Sequence, residues 1–260
     1  SVSEAEEDET VLKASAMIDA VTRDAKDEIT IDPAVSGIGK RVLLIDHEDS
    51  FVQNLASYIR ATGAETLTLR PGFPDEAFDD FKPDLVFLSP GPGRPDDYHL
   101  RDSIERALAA GLPVFGVCLG LQGIVEFFGG SLGQLVTPMH GKPSKVKLDT
   151  TDPLFEGLPD DIVVGRYHSL FANADELPGD LRVTAQSDDG VIMGVRHKVL
   201  PISAVQFHPE SLLTLQGDVG MRMIANLLRN PQGHLPNEDD ENIDETDDNS
   251  TPKTSDVKAA

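Results

Sequence analysis

The sequence has one cysteine, no tryptophan and no long apolar segment. A single cysteine excludes an internal disulfide and favours a reducing compartment, so we predict a cytoplasmic protein. No stretch approaches the ~20 consecutive apolar residues that a membrane-spanning helix needs. The acidic first ten residues also lack the basic and apolar regions of a signal or transit peptide. Membrane association is therefore not expected.

Basic residues are scarce as well, since 22 Lys and Arg stand against 45 Asp and Glu, a net charge of −23. Residues 1–32 and 231–260 each carry a net charge of −7, whereas the longer stretch 33–230 carries −9. This clustering at the ends makes a uniform halophilic adaptation the weaker explanation. Nothing provides the basic surface that nucleic acid or anionic lipid requires, so no nucleic-acid partner is expected.

Composition divides the chain into three predicted segments. Residues 1–40 contain an amphipathic helical stripe over 11–21 and then a linker. This segment is either a surface arm or the last helix of a preceding domain, and the start at Ser rather than Met favours the second interpretation. Residues 41–230 form the folded domain. Residues 231–260 are rich in Asp, Glu, Asn, Thr, Ser and Pro, and we predict that they are disordered.

Apolar runs alternate with amphipathic stretches in the folded domain, which predicts an α/β fold with an open, mostly parallel sheet and helices on both faces. The parallel strands are predicted at 41–46, 66–69, 84–88 and 113–117. The helices are predicted after an N-cap at Asp49 or Ser50, at 99–110, at 119–128 and, closing the domain, at 218–229. Added antiparallel strands are predicted at 144–148, 162–167, 181–186, 191–196 and 202–207.

The strongest chemical signal is the cysteine in the segment GVCLG, residues 116–120. It falls where a buried strand turns directly into a helix, which is the form of a nucleophile elbow with Cys in place of Ser. Flanking glycines allow the sharp turn, and the helix N-terminus favours the thiolate. Cys118 could instead be a small apolar core residue. The elbow context favours a nucleophile, with the Leu119 backbone N–H aimed at an oxyanion.

A second signal is His208-Pro209-Glu210. Proline keeps this piece extended, so His208 and Glu210 point to the same face, roughly 6–7 Å apart at the backbone. Glu210 can then orient one imidazole nitrogen while the other faces a thiol. An isolated pair of this kind is usually an exposed strand end, but beside an elbow cysteine it predicts a catalytic triad.

A third signal is the run SPGPG, residues 89–93, directly after the predicted strand 84–88. Ligands of open α/β sheets bind at this carboxyl edge, and glycines let the backbone approach a ligand. A rigid surface turn is an equally good explanation. The run does not match a phosphate-binding glycine loop.

The remaining histidines give no metal signal. None of them pairs at metal-ligand spacing, and the one cysteine is already assigned, so we predict no metal site. The histidines considered are His47, His99, His140, His168 and His197.

Taken together, these motifs resemble class I glutamine amidotransferases, in the order SPGPG, GVCLGLQ and FHPES. Three further motifs resemble the chorismate-pathway branch of that family, namely the glutaminase components of anthranilate synthase and aminodeoxychorismate synthase; they are DHEDSF at 46–51, MHGKPS at 139–144 and GRYHSLF at 165–171. The stretch 9–21 resembles the last helix of a chorismate-using synthase domain. The resemblance covers about 41–230 and implies the glutaminase end of a fused anthranilate synthase with a flavodoxin-like fold.

The resemblance also implies a role for each matching residue. Cys118 would be the nucleophile, His208 the general base and acid, and Glu210 the orienter. Oxyanion and substrate contacts would come from Gly91, Pro92, Gly93, Leu119, Gln122, Ser169 and Leu170. Many relatives have His or Met where this chain has Leu121, which bears on the subgroup rather than on catalysis.

The implied reaction releases ammonia from glutamine for a chorismate-using synthase partner in tryptophan biosynthesis. It implies no cofactor in this domain, with Mg²⁺ expected only in the synthase partner, and a homodimer of the fused enzyme is possible. The alternatives are the glutaminase of aminodeoxychorismate or phenazine-precursor synthesis, a stand-alone γ-glutamyl cysteine hydrolase, and a module that has lost activity.

Overall fold

A computed structural model describes residues 33–214 and 216–233, where most of the strands join one large sheet. The strands of the described part are β1 Arg41–Ile45, β2 Glu65–Leu69, β3 Leu85–Leu88, β4 Val114–Val117, β5 Leu132–Gln134, β6 Lys142–Leu148, β7 Asp161–Arg166, β8 Leu170–Ala172, β9 Leu181–Ser187, β10 Ile192–His197 and β11 Ile202–Val205.

Helices connect the early strands and close the domain. The α-helices of the described part are α1 Val52–Ala61, α2 Glu76–Phe81, α3 Leu100–Ala109, α4 Leu119–Phe127 and α5 Val219–Arg229. Short 3-10 helices lie at Pro33–Val35, Pro95–Tyr98, Pro153–Phe155, Ala174–Glu176, Leu212–Thr214 and Gln216–Asp218. The helical stripe predicted over 11–21 and nearly all of the acidic tail predicted over 231–260 lie outside the described residues.

The large sheet has nine strands in the order β2-β1-β3-β4-β11-β10-β9-β6-β7. The first five pair in parallel, and the last four add an antiparallel extension. The predicted α/β architecture is therefore confirmed.

One strand prediction is wrong in its direction. The segment 202–207 was expected to be an added antiparallel strand, but β11 lies parallel to β4, with Ala204 opposite Gly116. The chain returns from the antiparallel extension to complete the parallel block. Every residue of β11 is buried, as expected for a central strand that is covered on both faces.

Apolar side chains cover both faces of the sheet, because successive residues of a strand point to opposite sides. Val42 and Leu44 of β1 pack in the cluster that includes α1 and α5. Leu43 and Ile45 pack in the cluster that includes α3 and α4. The predicted placement of helices on both faces is thus confirmed.

Some local features differ from the sequence-based expectation. Neither Asp49 nor Ser50 is the N-cap of α1, because that position is Phe51, and the Asp49 carboxylate instead accepts a hydrogen bond from the Phe51 N–H at 2.7 Å. The short helix α2 was not predicted, since six residues with none buried leave little apolar pattern. The same is true of the two-stranded sheet formed by β5 and β8, which has only three residues in each strand.

Candidate active site

The carboxyl ends of the central parallel strands converge on one edge of the sheet. Cys118 follows β4, and Gln206 and His208 follow β11. The loop that begins at Ser89 follows β3, and its Ser89 N–H donates to the carbonyl of Ile45, the last residue of β1. This edge is where open α/β sheets bind ligands, and it brings together the motifs that the sequence singled out.

Cys118 occupies a strained backbone position between β4 and α4. Its φ of 53° and ψ of −98° are unusual for a residue with a side chain, and its N–H donates to the Val205 carbonyl at 2.8 Å. Such strain persists only where the surrounding structure imposes it, and it concentrates at functional sites. The predicted elbow geometry is present, and the nucleophilic role stays a prediction.

A glycine is required at the start of α4 because the helix packs against the neighbouring strand. A Cβ on Gly120 would lie 2.6 Å from the carbonyl oxygen of Leu88 in β3. A Cβ on Gly116 would lie equally close, at 2.6 Å, to the carbonyl carbon of Gly120. Both contacts are with backbone, which cannot rotate away as a side chain can. The two glycines therefore set the close approach of β4, α4 and β3 around the cysteine.

Cys118 is only 5% exposed. It is therefore more buried than expected for a side chain that projects above the edge of a sheet. The amide nitrogen Nε2 of Gln206 lies 3.5 Å from its Sγ. The sequence analysis did not single out Gln206, although its position two residues before His208 in an extended segment places both on one face. The Gln206 amide therefore contacts the thiol directly.

His208 and Glu210 form the predicted pair. Nδ1 of His208 lies 2.8 Å from Oε1 of Glu210, and both side chains are buried. Burial alone lowers the pKa of His208, but the charge of Glu210 and the interactions with Cys118 and Glu210 outweigh it, so this pKa lies well above its ordinary value. Nε2 of His208 has no hydrogen-bond partner of ordinary geometry among the described residues. That nitrogen is therefore available for proton transfer.

Two aromatic rings that were not predicted as site residues hold the imidazole. The rings of Phe51 and Tyr167 each lie 5.1 Å from the ring of His208, centre to centre, and 5.0 Å from each other. Tyr167 also hydrogen-bonds through its hydroxyl to Oγ of Ser211 at 3.1 Å. Both aromatics belong to motifs noted in the sequence, but aromatic residues alone gave no signal of contact with the histidine.

The predicted substrate residues Gln122 and Leu170 contact each other. Nε2 of Gln122 donates to the Leu170 carbonyl at 3.2 Å and lies 3.5 Å from Oε1 of Gln206. The Ser169 carbonyl accepts from the Leu135 N–H at 2.8 Å. Gln122 therefore links the Leu170 carbonyl to Gln206, whereas the Ser169 carbonyl is bonded to the backbone of Leu135.

The predicted oxyanion loop 91–93 divides into two parts. Gly91 packs against Leu119, because a Cβ there would lie 2.5 Å from Cδ2 of that residue. Gly93, with φ of 74°, faces Asp97 instead. Pro92 has no N–H to donate. Of the three residues, Gly91 is therefore the one whose backbone adjoins the elbow.

His47 anchors this loop. Its N–H donates to Oγ of Ser89 at 2.9 Å, and its Nδ1 lies 3.0 Å from the Ser89 carbonyl. Burial lowers the pKa of His47 to about 4, although the Ser89 contact opposes the shift. The imidazole is therefore neutral at neutral pH and acts as a fixed part of the scaffold.

The described residues contain no group of three or more His, Cys, Asp and Glu side chains arranged to hold a metal ion. Among these same residues, no helix is both long and apolar enough to cross a membrane.

Comparison with known proteins decides the family. The sequence model of class I glutamine amidotransferases matches residues 43–228. The chain belongs to this family. The match spans the parallel block, the antiparallel extension and every residue of the site described above.

Curated relatives of this amidotransferase carry names from chorismate metabolism. The chain is 52% identical over 227 residues to "Anthranilate synthase" of Azospirillum brasilense, covering 86% of this chain and 31% of that protein. It is 39% identical over 188 residues to "Aminodeoxychorismate/anthranilate synthase component 2" of Bacillus subtilis, covering 72% of this chain and 95% of that protein. The chain thus spans about a third of the first relative and nearly all of the second.

A solved structure shares the fold of this amidotransferase. It is described as a GMP synthase component from Thermoplasma acidophilum, with a TM-score of 0.64 and 26% sequence identity. The alignment covers 73% of this chain and 94% of that one. The same fold therefore occurs in relatives that are named for different synthases.

Proposed function

We propose that this domain is the glutaminase of an anthranilate synthase, which hydrolyses glutamine and delivers ammonia to a chorismate-using synthase domain in tryptophan biosynthesis. The observation that carries the proposal is the arrangement of a His208–Glu210 pair beside a cysteine on a strained elbow. The relatives named anthranilate synthase support the choice of acceptor.

In the proposed reaction, the Cys118 thiolate attacks the side-chain amide carbon of glutamine. His208, with its pKa raised by Glu210 and Cys118, carries a proton at neutral pH and donates it to the departing nitrogen. The C–N bond breaks, ammonia leaves, and a γ-glutamyl thioester remains on the sulfur. His208 then takes a proton from water, which attacks the thioester and releases glutamate and the thiolate.

The negative oxygen of each tetrahedral intermediate needs fixed donors. The Leu119 N–H at the start of α4 and the backbone of Gly91 are the donors that we assign. Their mutual packing supports this assignment because it holds the two segments in register. One donor of this kind typically contributes ~10²–10³ in rate.

Ammonia must pass to the partner before it is protonated by water, so we propose direct transfer across a domain interface. The acceptor would be chorismate, and the products of the synthase would be anthranilate and pyruvate. We assign no cofactor to this domain and expect Mg²⁺ in the synthase domain. We further propose that the enzyme is cytoplasmic and that it functions as a homodimer of the fused chain.

A second product of the synthase partner is supported by one specific observation. The Bacillus subtilis relative is named for both aminodeoxychorismate and anthranilate, so the same glutaminase can be paired with either chemistry. Product analysis with the native synthase partner separates these cases. Formation of anthranilate would support our assignment, whereas formation of aminodeoxychorismate or a phenazine precursor would assign the domain to another pathway.

The glutaminase chemistry is tested by a glutamine-like chloroketone, which alkylates a nucleophile that recognises glutamine. We expect intact mass to increase by one adduct, peptide mapping to place it on Cys118, and excess glutamine to protect the protein. Iodoacetamide is the control for general thiol accessibility, and it should alkylate Cys118 more slowly than the chloroketone at equal concentration because it is not recognised as glutamine. Labelling elsewhere, or labelling that glutamine does not slow, would overturn the proposal.

A further inference from the structure

A buried arginine lies behind the proposed site and has no part in the chemistry above. Arg166, the last residue of β7, is 1% exposed. Its Nη1 donates to both carboxylate oxygens of Asp189, at 3.0 and 2.8 Å, and its Nε donates to Nε2 of His168 at 3.1 Å. A buried cation is unfavourable unless it is paired and hydrogen-bonded. The Asp189 carboxylate provides the opposite charge, and the hydrogen bond to His168 fixes the orientation of the guanidinium.

The contact with Arg166 determines which nitrogen of His168 carries the proton. A guanidinium has only donors, so the ring nitrogen that it approaches must be an acceptor. Nε2 is therefore unprotonated, and the ring is neutral with its proton on Nδ1. Nδ1 lies 2.8 Å from the Leu170 carbonyl and donates to it. Burial, with the Leu170 contact opposing it and Arg166 assisting it, lowers the pKa of His168 to about 4.

The Leu170 carbonyl links this unit to the thiol. It accepts from Nδ1 of His168 and from Nε2 of Gln122, at 2.8 and 3.2 Å, which uses both of its lone pairs. The Gln122 amide lies against Gln206, and the Gln206 amide lies 3.5 Å from Sγ of Cys118. A continuous set of polar contacts thus runs from the buried arginine to the sulfur.

The backbone carbonyls next to Leu170 also accept hydrogen bonds from within the protein. The His168 carbonyl accepts from the Met139 N–H at 3.0 Å, and the Ser169 carbonyl accepts from the Leu135 N–H at 2.8 Å. All three carbonyls of 168–170 are therefore occupied by internal donors. Only the Leu170 carbonyl depends on side chains, so its direction is set by His168 and Gln122.

We propose that Arg166 and His168 are positioning residues of the glutamine site, and this inference rests on the proposed function. Arg166 fixes the tautomer of His168, and the fixed Nδ1–H holds the Leu170 carbonyl. That carbonyl orients the Gln122 amide against Gln206, whose own amide lies beside the thiol. Neither residue touches the reacting atoms. Their contribution is to the binding of glutamine rather than to proton transfer.

The tautomer is tested first, in the unmodified protein. Nitrogen-15 NMR of histidine-labelled protein distinguishes protonated from unprotonated ring nitrogens, and the His168 signals are identified by their loss in His168→Gln. We expect a neutral ring at pH 7 with the proton on Nδ1. A proton on Nε2, or a doubly protonated ring, overturns the inference whatever the glutaminase activity.

A pair of substitutions tests the positioning role. The Asn amide can occupy the place of Nδ1, so His168→Asn keeps a donor for the Leu170 carbonyl. The Gln amide reaches the place of Nε2, so His168→Gln keeps a partner for Arg166 but loses that donor. For His168→Gln we expect the KM for glutamine to rise roughly three- to tenfold, the range for one net hydrogen bond, with kcat within about twofold. His168→Asn should stay near the unmodified KM.

The assay uses the domain with its synthase partner and follows glutamate release. Equal losses of kcat and of thermal stability in the two variants would mean a merely structural role and overturn the inference. If His168→Gln does not fold, His168→Asn provides the assignment of the His168 signals, and the tautomer measurement then decides. Absence of glutamate release by the unmodified enzyme would instead overturn the proposed function, so the two failures are distinguishable.

Discussion

Replacing Gly120 with alanine tests the packing that shapes the elbow. An added methyl group would lie 2.6 Å from the Leu88 carbonyl oxygen and 2.9 Å from the Leu88 Cβ. Overpacking of this kind costs about 1–3 kcal/mol. Alanine has a higher helix propensity than glycine, which offsets about 1 kcal/mol of this cost. Because β3 lies inside the sheet and its backbone cannot yield locally, we expect the overpacking cost to lie in the upper half of its range, about 2–3 kcal/mol. The net destabilisation is then about 1–2 kcal/mol.

The measurement is thermal or urea unfolding of three alanine variants. For a domain of this size each 1 kcal/mol shifts Tm by roughly 2–4 °C, so Gly120→Ala should lower Tm by roughly 2–8 °C. Gly123→Ala in the same helix meets the side chain of Leu100, which can move, and should lower Tm less. Gly179→Ala meets nothing within 4 Å and should change stability by no more than about 0.5 kcal/mol.

The same variants report on the nucleophile. A shift of α4 away from β3 moves the Cys118 thiol and the Leu119 N–H, so alkylation of Cys118 by the chloroketone should be slower in Gly120→Ala than in Gly179→Ala. If Gly120→Ala is as stable and as reactive as Gly179→Ala, the close approach of α4 to β3 does not exist in solution, and the packing argument for the elbow is wrong.

Three further predictions concern the site and the scaffold. Cys118→Ala should lower glutamine-dependent synthesis by roughly 10⁴-fold or more, while ammonia-dependent synthesis by the partner is unchanged. Glu210→Gln should lower kcat for glutamate release by roughly 10²- to 10⁴-fold. It should also move the histidine limb of the pH–rate profile to lower pH, because the charge that raises the His208 pKa is gone. Asp152→Asn should destabilise the domain by about 3–5 kcal/mol in urea unfolding, since the buried carboxylate pairs with Arg196 at 2.6 Å.

Each of these has an outcome that contradicts its premise. Loss of the ammonia-dependent reaction in Cys118→Ala would mean that the division between glutaminase and synthase is wrong. An unshifted pH profile in Glu210→Gln would show that the carboxylate does not control the proton on His208. Unchanged stability in Asp152→Asn would show that Arg196 does not depend on this carboxylate for its charge balance.

The sequence predicted the parallel strands closely because a strand that is buried on both faces has a short, continuous run of apolar residues. The predicted 41–46 and 113–117 correspond to Arg41–Ile45 and Val114–Val117. The direction of β11 was predicted wrongly, because an apolar run does not indicate which strand it pairs with or whether the pairing is parallel. The strands of the β5–β8 pair are too short to leave any periodic pattern.

The same contrast holds for the site. Cys118, His208 and Glu210 could be found from the chain because each lies in a local motif whose geometry follows from its neighbours in sequence. Gln206 could have been found by the same alternation that linked His208 to Glu210. Arg166 lies in the motif GRYHSLF, but the motif did not indicate a buried ion pair, because the partner Asp189 is 23 residues away in the chain.

By itself, the sequence determined the family, the order of the longer strands and helices along the chain, and the three chemical groups at the proposed centre, since these depend on local pattern and motif spacing. The tertiary structure alone decided how closely α4 approaches β3, how far the sulfur is covered, and which protonation state His168 adopts. Those properties come from contacts between segments far apart in the chain, where backbone and charged groups meet at distances that no local pattern specifies.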